Sequence, residues 1–148
     1  MNVTSTAIGY PYIGAKREWK RTLESFWKKE LTEEQFEEKL KELRIARLKH
    51  EQALGLDYIT VGDFTKYDRV LDLAVTFNMI PRRYDVLQNP TELELYYAMA
   101  RGAQNVVASE MTKWYNTNYH YIVPEYEGKP LHITKNDFVA QFIEAREE

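Results

Sequence analysis

The chain predicts an α/β architecture with parallel strands and several amphipathic helices. Short β-branched runs alternate with longer stretches of helical periodicity, Gly and Pro punctuate the joins, and helix-start signals stand where the period changes. At 148 residues, 44% of them hydrophobic and 14% aromatic, the chain has the length of one domain and enough apolar material for a core. A single domain spanning 1–148 is the expectation.

Thr4–Ile8 reads as a first strand that ends at Gly9 and Pro11, and the loop Gly9–Gly14 then feeds a helix. From Ala15 to about Lys29, Trp19, Leu23, Phe26 and Trp27 recur at helical spacing, while Lys16, Arg17, Lys20 and Arg21 occupy the remainder of the first turns. Thr32 with Gln35 forms a capping box, and Leu31 is placed to staple onto Phe36. That second helix should run to about Leu54 and stop at Gly55. Glu37 stands four residues before Lys41, so most of its charge reads as a solvated, mutually paired face.

Asp57–Val61 is a second β-branched run, closed by Gly62-Asp63, and a third helix should cover Lys66 to about Phe77. Pro81 and Pro90 bracket a loop, and Thr91–Arg101 carries Leu93, Tyr96, Tyr97 and Met99 in a helical pattern ended by Gly102. Tyr119–Val123 is a candidate third strand. Thr134 stands in position to cap a last helix with Phe138, Phe142 and Ile143. No repeat, low-complexity tract or flexible linker interrupts this order.

A net charge of −3 with both signs interspersed produces no field that would draw nucleic acid or a membrane surface. No apolar run approaches the roughly 20 residues of a spanning helix, and no signal sequence opens the chain, which therefore reads as cytoplasmic. Cysteine is absent. A disulfide framework and a Cys-based zinc site are thereby excluded.

The densest use of rare residues is Glu110–Glu125, EMTKWYNTNYHYIVPE. Trp114, Tyr115, Tyr119 and Tyr121 offer flat faces, Asn116, Thr117, Asn118 and His120 offer short donors and acceptors, and Lys113 offers a cation. These are the furnishings of a polar ligand pocket. The stretch resembles the EMTKW-x-(N/D)-TNYHY-x-VPE signature of the cobalamin-independent methionine synthase family. Two further segments resemble that family in the same order. GYPYIGAKREWK at Gly9–Lys20 is similar to GFPRIG-x-(K/R)-RELK, and Gly55–Asp72 is similar to GID-x-x-(P/T)-VGDF-x-x-YD-x-VLD.

The resemblance implies a (βα)8 barrel, of which this chain would supply the opening part, since a complete barrel takes about 250 residues. It also implies methyl transfer from a 5-methyltetrahydropteroyl polyglutamate to homocysteine by the intact enzyme. Zinc belongs to the family's carboxy-terminal barrel, so no cofactor is expected in this chain. The family's folate-polyglutamate positions carry over to Arg17, Glu18, Trp19, Lys20 and Lys113. Trp19 stands where the family usually has leucine and falls on the apolar stripe, which suits core packing. Tyr12 replaces the arginine of GFPRIG, removing a permanent charge that could pair with a carboxylate.

Beside these implications stand the plainer readings of the same residues. A basic cluster early in a helix opposes the macrodipole, which favours a bound anion there, yet a solvated face is the ordinary alternative. His120 is a better structural histidine than a metal ligand, because neither His50 nor His132 stands at a ligating spacing from it. Asp63 and Asp68 follow a candidate strand, where they could face a site or serve as turn and cap. Stacking of single-stranded nucleic acid on Trp19 and Trp27 is disfavoured, because both fall on the apolar stripe. The partners expected are the folate tail and either the carboxy-terminal catalytic barrel or a self-association partner covering the open sheet edge. The alternative is a stand-alone, non-catalytic ligand- or protein-binding module derived from that domain.

Overall fold

The computed structural model describes residues 3–148, which form two compact units. One comprises the described residues up to Lys66 together with Asp137–Glu148, and the other comprises Tyr67–Asn136.

In the first unit, the two expected strands run side by side and parallel, but they meet in a single bridge, Thr6 with Tyr58. Side chains take the backbone groups that a ladder would use. Asp57 Oδ2 accepts the amide and hydroxyl of Ser5 at 2.7 and 2.8 Å, and Thr60 Oγ1 donates to the Ala7 carbonyl at 2.5 Å. The Ser5 donors hold the Asp57 carboxyl below the usual carboxylate range. Extended segments stitched in this way replace regular strands.

Helix α1 spans Glu18–Trp27, three residues later than its periodicity suggests. Arg17 at its N-cap is left-handed, with φ 61°, and its amide closes a turn on Gly14 O at 3.1 Å. Helix α2 spans Glu33–Ala53 with the Thr32–Gln35 capping box in place. Phe26 of α1 stacks on Phe36 of α2 with centroids 4.4 Å apart, and Leu23, Phe36 and Leu40 are buried. The same stripe of α2 continues through Arg47 and Glu51, both buried, so that its charge is not all solvated. Arg47 forks onto both carboxylate oxygens of Asp63 and also reaches Tyr10 O and Thr60 O.

The last helix of the chain, α5, begins at Asp137 and ends at Glu147. It lies against α2 through the bidentate pair Arg44–Glu144, at 2.6 and 2.8 Å, and Gln141 Nε2 donates to Phe64 O at 3.2 Å. Thr134 does not cap it. Its hydroxyl donates to Val75 O at 3.0 Å and its amide to Thr76 O at 2.9 Å, inside the second unit.

The second unit is built on α3, Arg69–Thr76, and α4, Glu92–Arg101, with a 3-10 turn at Arg82–Val86 inside the loop between the two prolines. Thr91 and Glu94 form a second capping box. Gly102 stops α4 at φ 80°, where an added Cβ would meet Val106 O at 3.1 Å. Leu93 and Tyr96 through Ala100 are buried.

The third expected strand is real but antiparallel. Met111–Lys113, β1, and His120–Ile122, β2, pair as a hairpin with Lys113 opposite His120, because only a short loop joins them. Parallel pairing among the described residues is confined to the Thr6–Tyr58 bridge. No described helix is long and apolar enough to cross a membrane.

Asp68 ties the hairpin to α3. Its carboxylate caps the helix at Val70 N (3.3 Å) and Leu71 N (3.0 Å) and accepts Ile122 N at 2.9 Å. Asp68→Ala removes a cap worth about 1 kcal/mol and leaves a buried strand amide unpaired at about 1–3 kcal/mol. Chemical denaturation should therefore show a loss of about 2–4 kcal/mol, with Asp68→Asn losing less because it keeps an acceptor.

Candidate functional site

The basic stretch of the first unit is held by residues other than its cations. Glu18 Oε2 accepts the amide of Lys16 at 2.9 Å, and its own amide together with that of Lys16 holds its carboxyl below the usual range. An added Cβ at Gly14 would lie 2.2 Å from the same oxygen, so this close approach needs a glycine. Glu18 is thus committed to starting α1. Trp19 donates its indole N–H to Thr65 O at 2.9 Å and stands edge-on to Tyr12, with centroids 5.0 Å apart. It packs, as its place on the apolar stripe suggests.

Lys16, Arg17, Lys20 and Arg21 are all exposed. Lys20 lies 3.6 Å from Glu24 one turn on, a contact open to solvent that water and salt screen. The structure therefore separates the stretch into two anchoring residues and an outward cationic group. Tyr12, at the family's arginine position, packs its ring against Trp19 and Phe64.

In the second unit, Lys113 sits at the end of β1, exposed beside an exposed His120. The loop beyond it is self-supporting. Trp114 N donates to Tyr119 O at 2.8 Å, Thr117 Oγ1 donates to Trp114 O at 2.6 Å, and Tyr115 takes a left-handed φ of 50°. Trp114 packs on Tyr121 with centroids 4.4 Å apart. Tyr115 and Tyr119 remain 93% and 78% exposed. Of the aromatic groups that read as pocket furniture, Tyr115 and Tyr119 thus stand outward on the hairpin tip, while Tyr121 lies within β2 against Trp114.

The hairpin's far end is clamped by a cluster whose importance was not evident from sequence. Arg83 forks onto Glu125 at 2.5 Å through both outer nitrogens, reaches Ser109 Oγ at 3.0 Å and lies over the Tyr84 ring at 4.8 Å. Tyr84 in turn donates to Val107 O at 3.0 Å. Hydrogen bonding from Arg83 holds the Glu125 carboxyl below the ordinary range, and Glu125 raises Arg83 in return. Glu125 closes the conspicuous motif; Arg83 stands in a loop with no pattern to mark it.

Two cavities have none of these cations in their lining. In the second unit, about 560 Å³ opens between Val86–Pro90 and the carboxyl end of α4. A smaller one of about 260 Å³ in the first unit is lined by Ile45, Leu48, Ile59, Val61 and Phe142. Among the described residues no group of three or more His, Asp or Glu side chains could hold a metal ion, so the donors present do not fit zinc. Asp63 and Asp68, the two carboxylates after the second extended segment, are both buried and engaged in structural bonds.

The chain matches the family model described as cobalamin-independent synthase, N-terminal domain, over residues 4–148. It is similar to the 5-methyltetrahydropteroyltriglutamate–homocysteine methyltransferase of Halalkalibacterium halodurans, 52% identical over 141 residues that cover 95% of this chain and 19% of that protein. Proteins of the same description from Bacillus thuringiensis and Bacillus anthracis are 48% identical over 149 residues, covering all of this chain and 19% of theirs. The chain thus spans about a fifth of the length of these curated relatives.

The Arg83–Glu125 clamp has a pH signature with a definite sign. A carboxyl depressed by folding stabilises in full above its unfolded value of about 4.3, and that contribution declines below it and is gone once the pH has passed the folded value. Glu125→Gln should lower stability at neutral pH by about 1–3 kcal/mol and flatten the acid limb. Denaturation midpoints taken between neutral and strongly acidic pH check both effects.

Proposed function

Because the chain belongs to the cobalamin-independent methionine synthase family through its N-terminal domain, we propose that it serves methionine biosynthesis by holding the anionic tail of a methylated pteroyl polyglutamate. The observation that carries this reading is the sorting of side chains at the family's tail positions. Arg17, Lys20 and Lys113 are exposed, while the neighbouring Glu18 and Trp19 are committed to bonds of the fold. A tail of γ-linked glutamates presents repeated carboxylates, and exposed guanidinium and ammonium groups on rigid elements can donate charge-assisted hydrogen bonds to them. Arg17 and Lys20 offer this on the first turn of a helix, and Lys113 offers it at the end of a strand; each is assigned within its own unit. Glu18 and Trp19 then act by fixing the helix start.

The family match across residues 4–148 supports one domain made of both units. The parallel Thr6–Tyr58 bridge, with α1 and α2 between its partners, supports the opening of a (βα)8 barrel. Methyl transfer to homocysteine is assigned to the intact enzyme, with zinc held outside these residues. The protein so completed would be a soluble cytoplasmic methyltransferase.

In an intact enzyme carrying this segment, Lys113→Ala and the double variant Arg17→Ala with Lys20→Ala should weaken binding of the folate triglutamate more than the monoglutamate. Each exposed charge contact is worth up to about 1 kcal/mol, and a charge-assisted hydrogen bond about 1.5–3 kcal/mol. Titration calorimetry with both ligands decides: equal losses would assign these residues to packing instead. The 148-residue chain alone should form no methionine from homocysteine and methylfolate and should purify with less than stoichiometric zinc, since it has no cysteine. Metal analysis and a product assay check this.

A further inference from the structure

Glu51 follows Arg47 by one turn on the same face of α2 and is fully buried. Neither of its carboxyl oxygens has a hydrogen-bond partner. Nor does Arg47 Nε, which lies 3.4 Å from Glu51 Oε1. The other nitrogens of Arg47 are committed. Nη1 donates to Asp63 Oδ2 at 2.8 Å and to Tyr10 O at 3.3 Å, while Nη2 donates to Asp63 Oδ1 and to Thr60 O at 3.4 Å. Asp63 Oδ2 also accepts the Tyr10 amide at 3.2 Å.

Two carboxyls therefore share one guanidinium where water is excluded. A buried carboxylate is tolerated when it is paired and hydrogen-bonded, and a neutral carboxyl is far cheaper to bury than a bare charge. Asp63 has the fork and an amide; Glu51 has neither. Ionising both would leave one uncompensated negative charge, and one proton restores neutrality. We infer that Glu51 holds that proton in the folded chain and forms a pH-sensitive latch, its ionisation drawing Arg47 from Asp63 and loosening the Gly9–Gly14 loop from which α1 departs.

The groups facing Glu51 set the direction. Burial pushes its carboxyl up, with Asp63 acting in the same sense, while Arg47 and His50, both on α2, oppose the rise. Tyr10 joins the cluster through its ring, which stands edge-on to His50 with centroids 5.7 Å apart. A carboxyl raised by folding contributes stability in full below its unfolded value of about 4.3 and loses it as pH rises toward the folded value. Within that window the folding constant falls about tenfold for each pH unit.

The test uses the 148-residue chain, following the Glu51 carboxyl carbon by NMR and the protection of the Tyr10 amide by hydrogen exchange, from acidic to mildly alkaline pH. Glu51 should keep the neutral carboxyl resonance to a higher pH than the exposed glutamates of the chain, and Tyr10 protection should fall as that resonance titrates. Glu51→Gln keeps the shape without the charge and should abolish the fall, whereas His50→Gln should retain it. A Glu51 resonance that ionises together with the exposed glutamates overturns the inference, as does an unchanged fall in Glu51→Gln or its loss in His50→Gln. The wild-type resonance decides the matter even where a variant fails to fold.

Discussion

The fork between Arg47 and Asp63 is the constraint on which the first unit depends. A guanidinium buried on a helix must be met by fixed acceptors, and here each acceptor belongs to a segment with no ladder of its own: Tyr10 O in the loop before α1, Thr60 O at the second extended run, and Asp63 at the turn after it. Because Arg47 reaches all three at once, none can shift without leaving a buried polar group unpaired. The single parallel bridge between Thr6 and Tyr58 can then suffice where a sheet would otherwise be required.

Asp68 has the equivalent duty in the second unit, with amides in place of a guanidinium. One carboxylate ends α3 and receives Ile122 of β2, so helix start and hairpin position are set by the same group. Arg83 and Glu125 hold the far side of that hairpin. Lys113 thus stands on a hairpin anchored at its open end, while the loop beyond it is supported by its own Thr117 bonds. Rigid support of this kind is what lets an exposed cation present a fixed charge to an anionic ligand.

Much of this was legible from residue types and spacing. The Thr32–Gln35 capping box is local, and a local motif is complete in the sequence that carries it. The stop at Gly102 is equally local. Helix α1 departs from its periodicity at the first turn, because Glu18 captures the Lys16 amide and Arg17 turns left-handed, neither of which periodicity registers. Thr134 departs from the capping position for a related reason: its hydroxyl donates to carbonyls of α3 that lie far away in sequence.

By itself, then, the sequence determined the helical segments, the Thr32–Gln35 cap, the absence of cysteine chemistry and the family, through three ordered motifs that residue identity alone carries. Only tertiary structure decided which polar residues are buried. Arg47 and Glu51 look like ordinary surface charges in a list of residues, Asp63 and Asp68 read equally as site, turn or cap, and the roles they take arise from partners that the linear order hides. It also decided that the final strand pairs antiparallel and that the aromatic tip faces outward. Strand direction and burial are properties of what a segment meets, and a one-dimensional pattern holds only what the segment is.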